Sequence, residues 1–126
     1  MRVTHVNDVE AQPMQLDGAA GVSMRLLVGR DHGAPTFAMR QFTVEPGGHT
    51  PLHRHNYEHE VYVLAGKGLV RGGDTQREIH AGDVVFMPAN QLHQFKVTGD
   101  EPLVFICLVP VTHDCGSGAC EPTPGS

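Results

Sequence analysis

Four histidines stand at spacings that could hold a metal ion. Three of them fall in the run Pro51-Leu52-His53-Arg54-His55-Asn56-Tyr57-Glu58-His59-Glu60-Val61-Tyr62-Val63. Side chains of an extended chain alternate between two faces, so His53 and His55 share one. If parity survives the short connection, His59 joins them together with Val61 and Val63. Glu58, Glu60 and Tyr62 then take the opposite face. The valines mark the inner face, so three imidazoles are expected to converge inside the fold. A buried imidazole needs partners for its nitrogens, and one metal ion serves several at once. The fourth, His93, stands early in a later stretch, with Phe95 on the same face.

The chemistry of such a set follows from its donors. Imidazole suits zinc, copper, iron and nickel, and four neutral rings leave the ion its full double charge. Four protein ligands around tetrahedral zinc make a closed, structural site. An octahedral ion would keep two positions free for water, dioxygen, peroxide or a chelating substrate. A domain that already has a core does not need a structural metal, so an open site is expected. Metal-assisted oxidation is the reaction this suggests, with the oxidant or an oxygen-bearing substrate polarised at the ion.

The elements that must position these residues are short strands. The chain has 126 residues, enough for one domain with its own core. It is 40% apolar, with 15 glycines and 9 prolines, which suits many turns. Turn residues recur at Pro46-Gly47-Gly48, Gly66-Lys67-Gly68, Gly72-Gly73-Asp74, Ala81-Gly82-Asp83, Pro88-Ala89-Asn90 and Gly99-Asp100. Strands are expected near 24–29, 37–45, 51–56, 59–65, 68–71, 76–80, 83–88, 92–98 and 102–110, with minimal helix. This spacing indicates an all-β sandwich or barrel over 24–110. Residues 1–23 are expected to form an arm or edge strand, and 111–126 a tail rich in Gly, Ser, Pro and Cys.

Composition excludes several functions. The net charge is −5 and the basic residues are scattered, so nothing suggests nucleic acid or an anionic membrane. No apolar run is long enough to span a bilayer, and Met1–Glu10 lacks the apolar core of a signal peptide. The cytoplasm is the expected location. Cys107, Cys115 and Cys120 do not make a disulfide framework.

The two histidine stretches resemble the paired motifs of the cupins. The first motif has the form Gly-x5-His-x-His-x(3,4)-Glu-x6-Gly, to which the chain supplies Gly47, His53, His55 and Gly66. The second has the form Gly-x5-Pro-x-Gly-x2-His-x3-Asn, to which it supplies Gly82, Pro88 and His93. Asn90 replaces the second motif's Gly, which Asn tolerates because it also visits the left-handed region, and Val97 replaces its Asn. His59 fills the acid's place in the three-residue spacing, and Glu60 in the four-residue one. Gly66 is in register with His59, which favours His59 over Glu60.

The chain is similar above all to small single-domain manganese cupins with a four-histidine site. The similarity runs through Phe42-Thr43-Val44-Glu45-Pro46-Gly47-Gly48, His55-x-x-Glu58-His59-Glu60 and Cys107-Leu108-Val109-Pro110. The resemblance implies a jelly-roll double-stranded β-helix, His53, His55, His59 and His93 as metal ligands, a homodimer and oxidative chemistry. It implies manganese, with iron, nickel, copper or zinc as substitutes.

The expected function is therefore a metal-dependent, dioxygenase-like oxidoreductase acting on a small organic substrate. The alternatives are a non-catalytic metal- or ligand-binding cupin, or a metal-dependent isomerase or decarboxylase. Arg40, Tyr57 and Glu58 are the candidate catalytic groups. Arg40 shares parity with Phe42 and Val44 and so could point inward, although an outward arginine fits equally well. Cys107 shares parity with Phe105 and Val109, which places its thiol inside as a small buried hydrophobe. Glu58 and Glu60 read as solvated groups or as partners that orient an imidazole. His5, His32, His49, His80 and His113 read as surface residues. Cys115 and Cys120, with His113 nearby, leave room for a second metal site, but a plain tail is the simpler reading.

Overall fold

The computed structural model describes residues 1–113. They form nine strands: β1 (Gln12–Pro13), β2 (Ala20–Val28), β3 (Phe37–His49), β4 (His59–Ala65), β5 (Lys67–Gly72), β6 (Thr75–His80), β7 (Val84–Met87), β8 (His93–Val97) and β9 (Leu103–Pro110). Three short 3-10 turns are the only helical pieces among the described residues. No helix there is long and apolar enough to cross a membrane. The strands make one curled antiparallel sheet in the order β6-β5-β8-β3-β9-β4-β7, with β2 added to β3 and β1 to β2. The all-β jelly roll is thus what the chain adopts.

Alternation explains why these segments are strands. In β3 the inward residues are Ala38, Arg40, Phe42 and Val44; in β9 they are Leu103, Phe105, Cys107 and Val109. The two strands are in direct register, with Arg40 opposite Cys107 and Phe42 opposite Phe105. Phe105 lies between the rings of Phe42 at 5.4 Å and Phe95 at 4.7 Å. Val44, Val61, Val63, Leu103 and Val109 are sealed from solvent. Each such side chain contributes about 1.5–3 kcal/mol by leaving water.

Two turn positions need unusual backbone. Gly66 has φ +86°, and a Cβ there would collide with the carbonyl oxygen of Pro102. Asn90 is the one non-glycine residue with positive φ among the described residues, at 68°, where the sequence motif carries a glycine.

Several strand boundaries differ from expectation, and β3 runs on to His49 rather than ending near 45. β2 starts at Ala20 rather than near 24, because it continues along β3 past a bulge to pair Ala20 with His49. Residues 51–56 are not a strand. The segment is extended but holds only one isolated bridge, His53 to His93. Pro51 has no N–H to offer a ladder, and the chain turns away at Asn56-Tyr57 before β4 begins.

Candidate metal centre

The segment between β3 and β4 is tied across to β8. Thr50 N–H donates to the Phe95 carbonyl at 2.9 Å, and Phe95 N–H returns a bond to Thr50 Oγ1 at 2.9 Å. His53 and His93 exchange backbone bonds of 3.1 and 2.8 Å. Asn90 N–H donates to the His55 carbonyl at 2.6 Å. These ties set His53 and His55 facing His93. β4 then starts at His59, opposite Met87 of β7, and continues inward with Val61 opposite Cys107.

The result is a cluster of four imidazoles. Ring centroids are 4.1 Å apart for His53 and His55, 4.8 Å for His53 and His93, and 5.3 Å for His55 and His93. The His59 ring lies 5.0 Å from His93 and 5.3 Å from His55. Candidate ligand nitrogens of His53, His55 and His93 lie within 4.8 Å of one another. His59 stands beside this tighter set. His55, His59 and His93 are buried and His53 is half-buried.

Burial keeps these rings neutral. It is the largest effect on each, and for His53, His55 and His59 the neighbouring rings and the Arg40 guanidinium add to it. His53 falls to about 4, His55 to about 3 and His59 to about 2. His93 is also lowered by burial, with the Gln91 carbonyl working against the shift. Neutral imidazole is the form that binds a metal.

The nitrogens point to a missing partner. His53 Nε2 and His55 Nε2 lie 3.0 Å apart. Two ligands about 2.1 Å from one ion and at a right angle to each other would be separated by about the same distance. His93 Nδ1 bonds the Gln91 carbonyl at 2.9 Å, which directs Nε2 toward the cluster. His59 Nε2 is buried with no partner among the described residues, as are Nδ1 of His53 and His55. A divalent ion fits this donor set.

A cavity of about 70 Å³ adjoins the cluster. Its walls are mainly apolar, with Phe42, Phe95 and Phe105 on the barrel side and Met14, Leu16 and Ala19 on the N-terminal side. The candidate catalytic residues separate here. Arg40 is 4% exposed and points inward, where its Nη2 donates to Cys107 Sγ at 3.6 Å and its guanidinium lies 4.9 Å from the Phe42 ring centre. Tyr57 lines the cavity, and its ring stacks on His55 at 4.8 Å. Burial pushes the Tyr57 hydroxyl above its ordinary range, so it is a proton donor at neutral pH. Glu58 is exposed and outside the cavity. It shares a hydrogen bond with exposed Glu60, which raises the Glu60 carboxyl to about 6. Both carboxylates are therefore on the outer face, apart from the imidazoles.

Sequence reasoning missed two contributors. His113, read as a surface residue, stacks on Tyr57 with centroids 3.8 Å apart. Nothing in its spacing signals this, because the contact depends on how the chain turns after β9. Met14 and Leu16 form part of the cavity wall from a segment read only as an arm; their alternation with Gln15 was the available signal. His49 is half-buried at the end of β3, and His32 Nδ1 accepts the Gly29 N–H at 3.0 Å. Cys115 and Cys120 lie outside the described residues.

Comparison with known proteins places this geometry in context. Residues 40–109 match the family model described as "Cupin domain". The chain is similar to the solved structure of the polyketide cyclase RemF from Streptomyces resistomycificus, with TM-score 0.83 and 31% identity over 98% of this chain and 82% of that one. It is also similar to 1-methylthio-D-xylulose 5-phosphate methylsulfurylase of Rhodospirillum rubrum, with 38% identity over 63% of this chain and 51% of the relative. Auxin-binding protein 1 of Arabidopsis thaliana is 29% identical over 82% of this chain and 58% of its own length. The chain thus spans about half the length of the curated relatives it matches.

Proposed function

The chain belongs to the cupin family, and on that premise we propose that it is a metal-dependent enzyme acting on a small, mainly apolar carbonyl compound. In this reading His53, His55, His59 and His93 hold one divalent transition metal, with manganese first and iron, nickel, copper or zinc as substitutes. The observation that carries the reading is the clustering of these four imidazoles along an apolar cavity, three of them with nitrogens within 4.8 Å of one another and His59 beside them. A bound divalent ion supplies Lewis acidity and open positions for a chelating substrate.

The remaining groups support chemistry beside it. Phe42, Phe95 and Phe105 exclude bulk water and receive apolar parts of the substrate. Tyr57 holds its proton at the cavity wall and serves as the general acid. Arg40 lends fixed positive charge to a developing enolate oxygen. The reading is redox-neutral proton transfer at a polarised carbonyl, in which the proton of the adjacent carbon passes to water while Tyr57 donates to the developing enolate oxygen. The likeness to a polyketide cyclase supports that class, because ring closure by attack of a carbon α to one carbonyl on the carbon of another needs no external oxidant or reductant.

The reading also takes the protein to be a cytoplasmic homodimer. The free, buried Cys107 suits a reducing compartment. The exposed outer residues Tyr62, Leu64, Val84 and Phe86 offer an apolar face to a second copy.

The test uses benzoylacetone, a small apolar dicarbonyl, with the manganese-loaded and metal-free protein in heavy water. The proposal expects faster deuterium exchange at the central carbon with the loaded protein and no oxygen uptake. Tyr57→Phe should slow that exchange by about 100-fold or more. Oxygen uptake with loss of the diketone would return the dioxygenase-like reading. Binding with no exchange would leave a ligand-binding cupin.

A further inference from the structure

Three groups meet at one buried sulfur. Cys107 Sγ lies 3.2 Å from His59 Nδ1, 3.6 Å from Arg40 Nη2 and 3.9 Å from the carbonyl oxygen of Leu108. Each partner restricts what the sulfur can do. A guanidinium can only donate, so Arg40 takes one sulfur lone pair. The thiol has a single proton, and the Leu108 carbonyl can only accept it. The proton has two acceptors in reach, the Leu108 carbonyl and His59 Nδ1; directed at Leu108, it leaves the sulfur facing His59 as an acceptor. Nδ1 of His59 must then carry the ring's hydrogen, and Nε2 must carry the lone pair.

That Nε2 is the buried nitrogen with no partner among the described residues. The opposite arrangement, with the thiol donating to Nδ1, would place a hydrogen on Nε2 and close it to any ion. His93 shows the same device in its usual form, with a backbone carbonyl, that of Gln91, accepting from Nδ1 at 2.9 Å. At His59 the group facing Nδ1 is the Cys107 sulfur rather than a backbone carbonyl.

We infer that Cys107 is a positioning residue whose sulfur holds His59 in the Nδ1–H form and so keeps Nε2 available to the centre. The functional consequence rests on the four-imidazole reading; the tautomer does not. The pairing is specific to His59, the ring that stands outside the tighter set of His53, His55 and His93. Cys107 thereby decides whether the centre has three imidazoles or four.

Two measurements test this. Nitrogen-15 correlation spectra of the metal-free protein report the tautomer of each imidazole. The inference expects Nδ1–H at His59 in the native chain and in Cys107→Ser, whose hydroxyl still accepts. It expects a mixture in Cys107→Val, which keeps most of the volume and removes the acceptor. Cobalt(II) titration then reads the consequence: affinity should fall about 10- to 100-fold in Cys107→Val, with an altered visible spectrum, and recover in Cys107→Ser. A native His59 in the Nε2–H form would overturn the inference, and so would a Cys107→Val protein with unchanged affinity and spectrum. If Cys107→Val fails to fold, the native and Cys107→Ser spectra still decide the tautomer. A native chain with Nδ1–H at His59 that binds no cobalt would uphold the tautomer and sink the metal centre.

Discussion

The two ends of this barrel are built by the same strands and differ in what they can tolerate. Along β3 the inward residues run from Arg40 through Phe42 to Val44. Along β4 they run from His59 through Val61 to Val63, and along β9 from Cys107 through Phe105 to Leu103. Each strand thus passes from a polar inward residue to an apolar one. At the apolar end Val44, Val63 and Leu103 are wholly excluded from solvent and need only one another. At the polar end buried nitrogens lack partners, a cavity remains, and the rings are held neutral by burial. Polar groups left unpaired in an interior are costly, so a fold retains them where a ligand completes them. The contrast separates the part of the sequence that makes the barrel from the part that makes the site.

The largest effect should come from the polar end. His93→Ala should take bound metal from about one ion per chain to none, while the metal-free variant unfolds close to the native temperature. Elemental analysis and thermal melting check both halves. A variant that keeps its metal would break the contrast. At the other end, Leu103→Ala should cost about 2–5 kcal/mol of stability with metal per folded chain unchanged, as read by denaturant titration. A loss of metal stoichiometry there would mean the two ends are not separable.

Acid sharpens the comparison next. The folded rings of His53, His55 and His59 protonate only near 4, 3 and 2, whereas in the unfolded chain they protonate near 6.5. Below 6.5 the unfolded chain therefore binds more protons, and the metal-free fold should lose stability as pH falls toward those values. Above 6.5 these rings contribute no pH dependence. Denaturant midpoints from neutral pH down to about 4 check this; a flat profile would contradict buried neutral imidazoles. The smallest effect belongs to the outer face. Glu60→Gln removes a carboxylate that shares a proton with Glu58, and should change stability by less than about 0.5 kcal/mol and metal content not at all.

The barrel was readable because its strands alternate. β3, β4 and β9 were placed to within a few residues from apolar runs bounded by turn residues, and the inward position of Cys107 followed from parity. The grouping of His59 with His53 and His55 was readable as well, since odd parity persists through Tyr57. Arg40 was not, because alternation leaves either face open until a neighbouring strand fixes it; pairing with Cys107 does so. Residues 51–56 looked like a strand because extended chain and strand share one pattern, and only the hydrogen bonds tell them apart. His113 over Tyr57 and the wall formed by Met14 and Leu16 depend on segments brought in from both ends of the barrel region. No local spacing encodes such contacts.

The most direct test of the four-imidazole centre is metal content after purification without added metal or chelator, in the native chain, His59→Ala and Glu60→Ala. Near-stoichiometric transition metal in the native and Glu60→Ala proteins, with loss in His59→Ala, is the result expected. Retention in His59→Ala with loss in Glu60→Ala would contradict the centre described here and make Glu60 the fourth ligand.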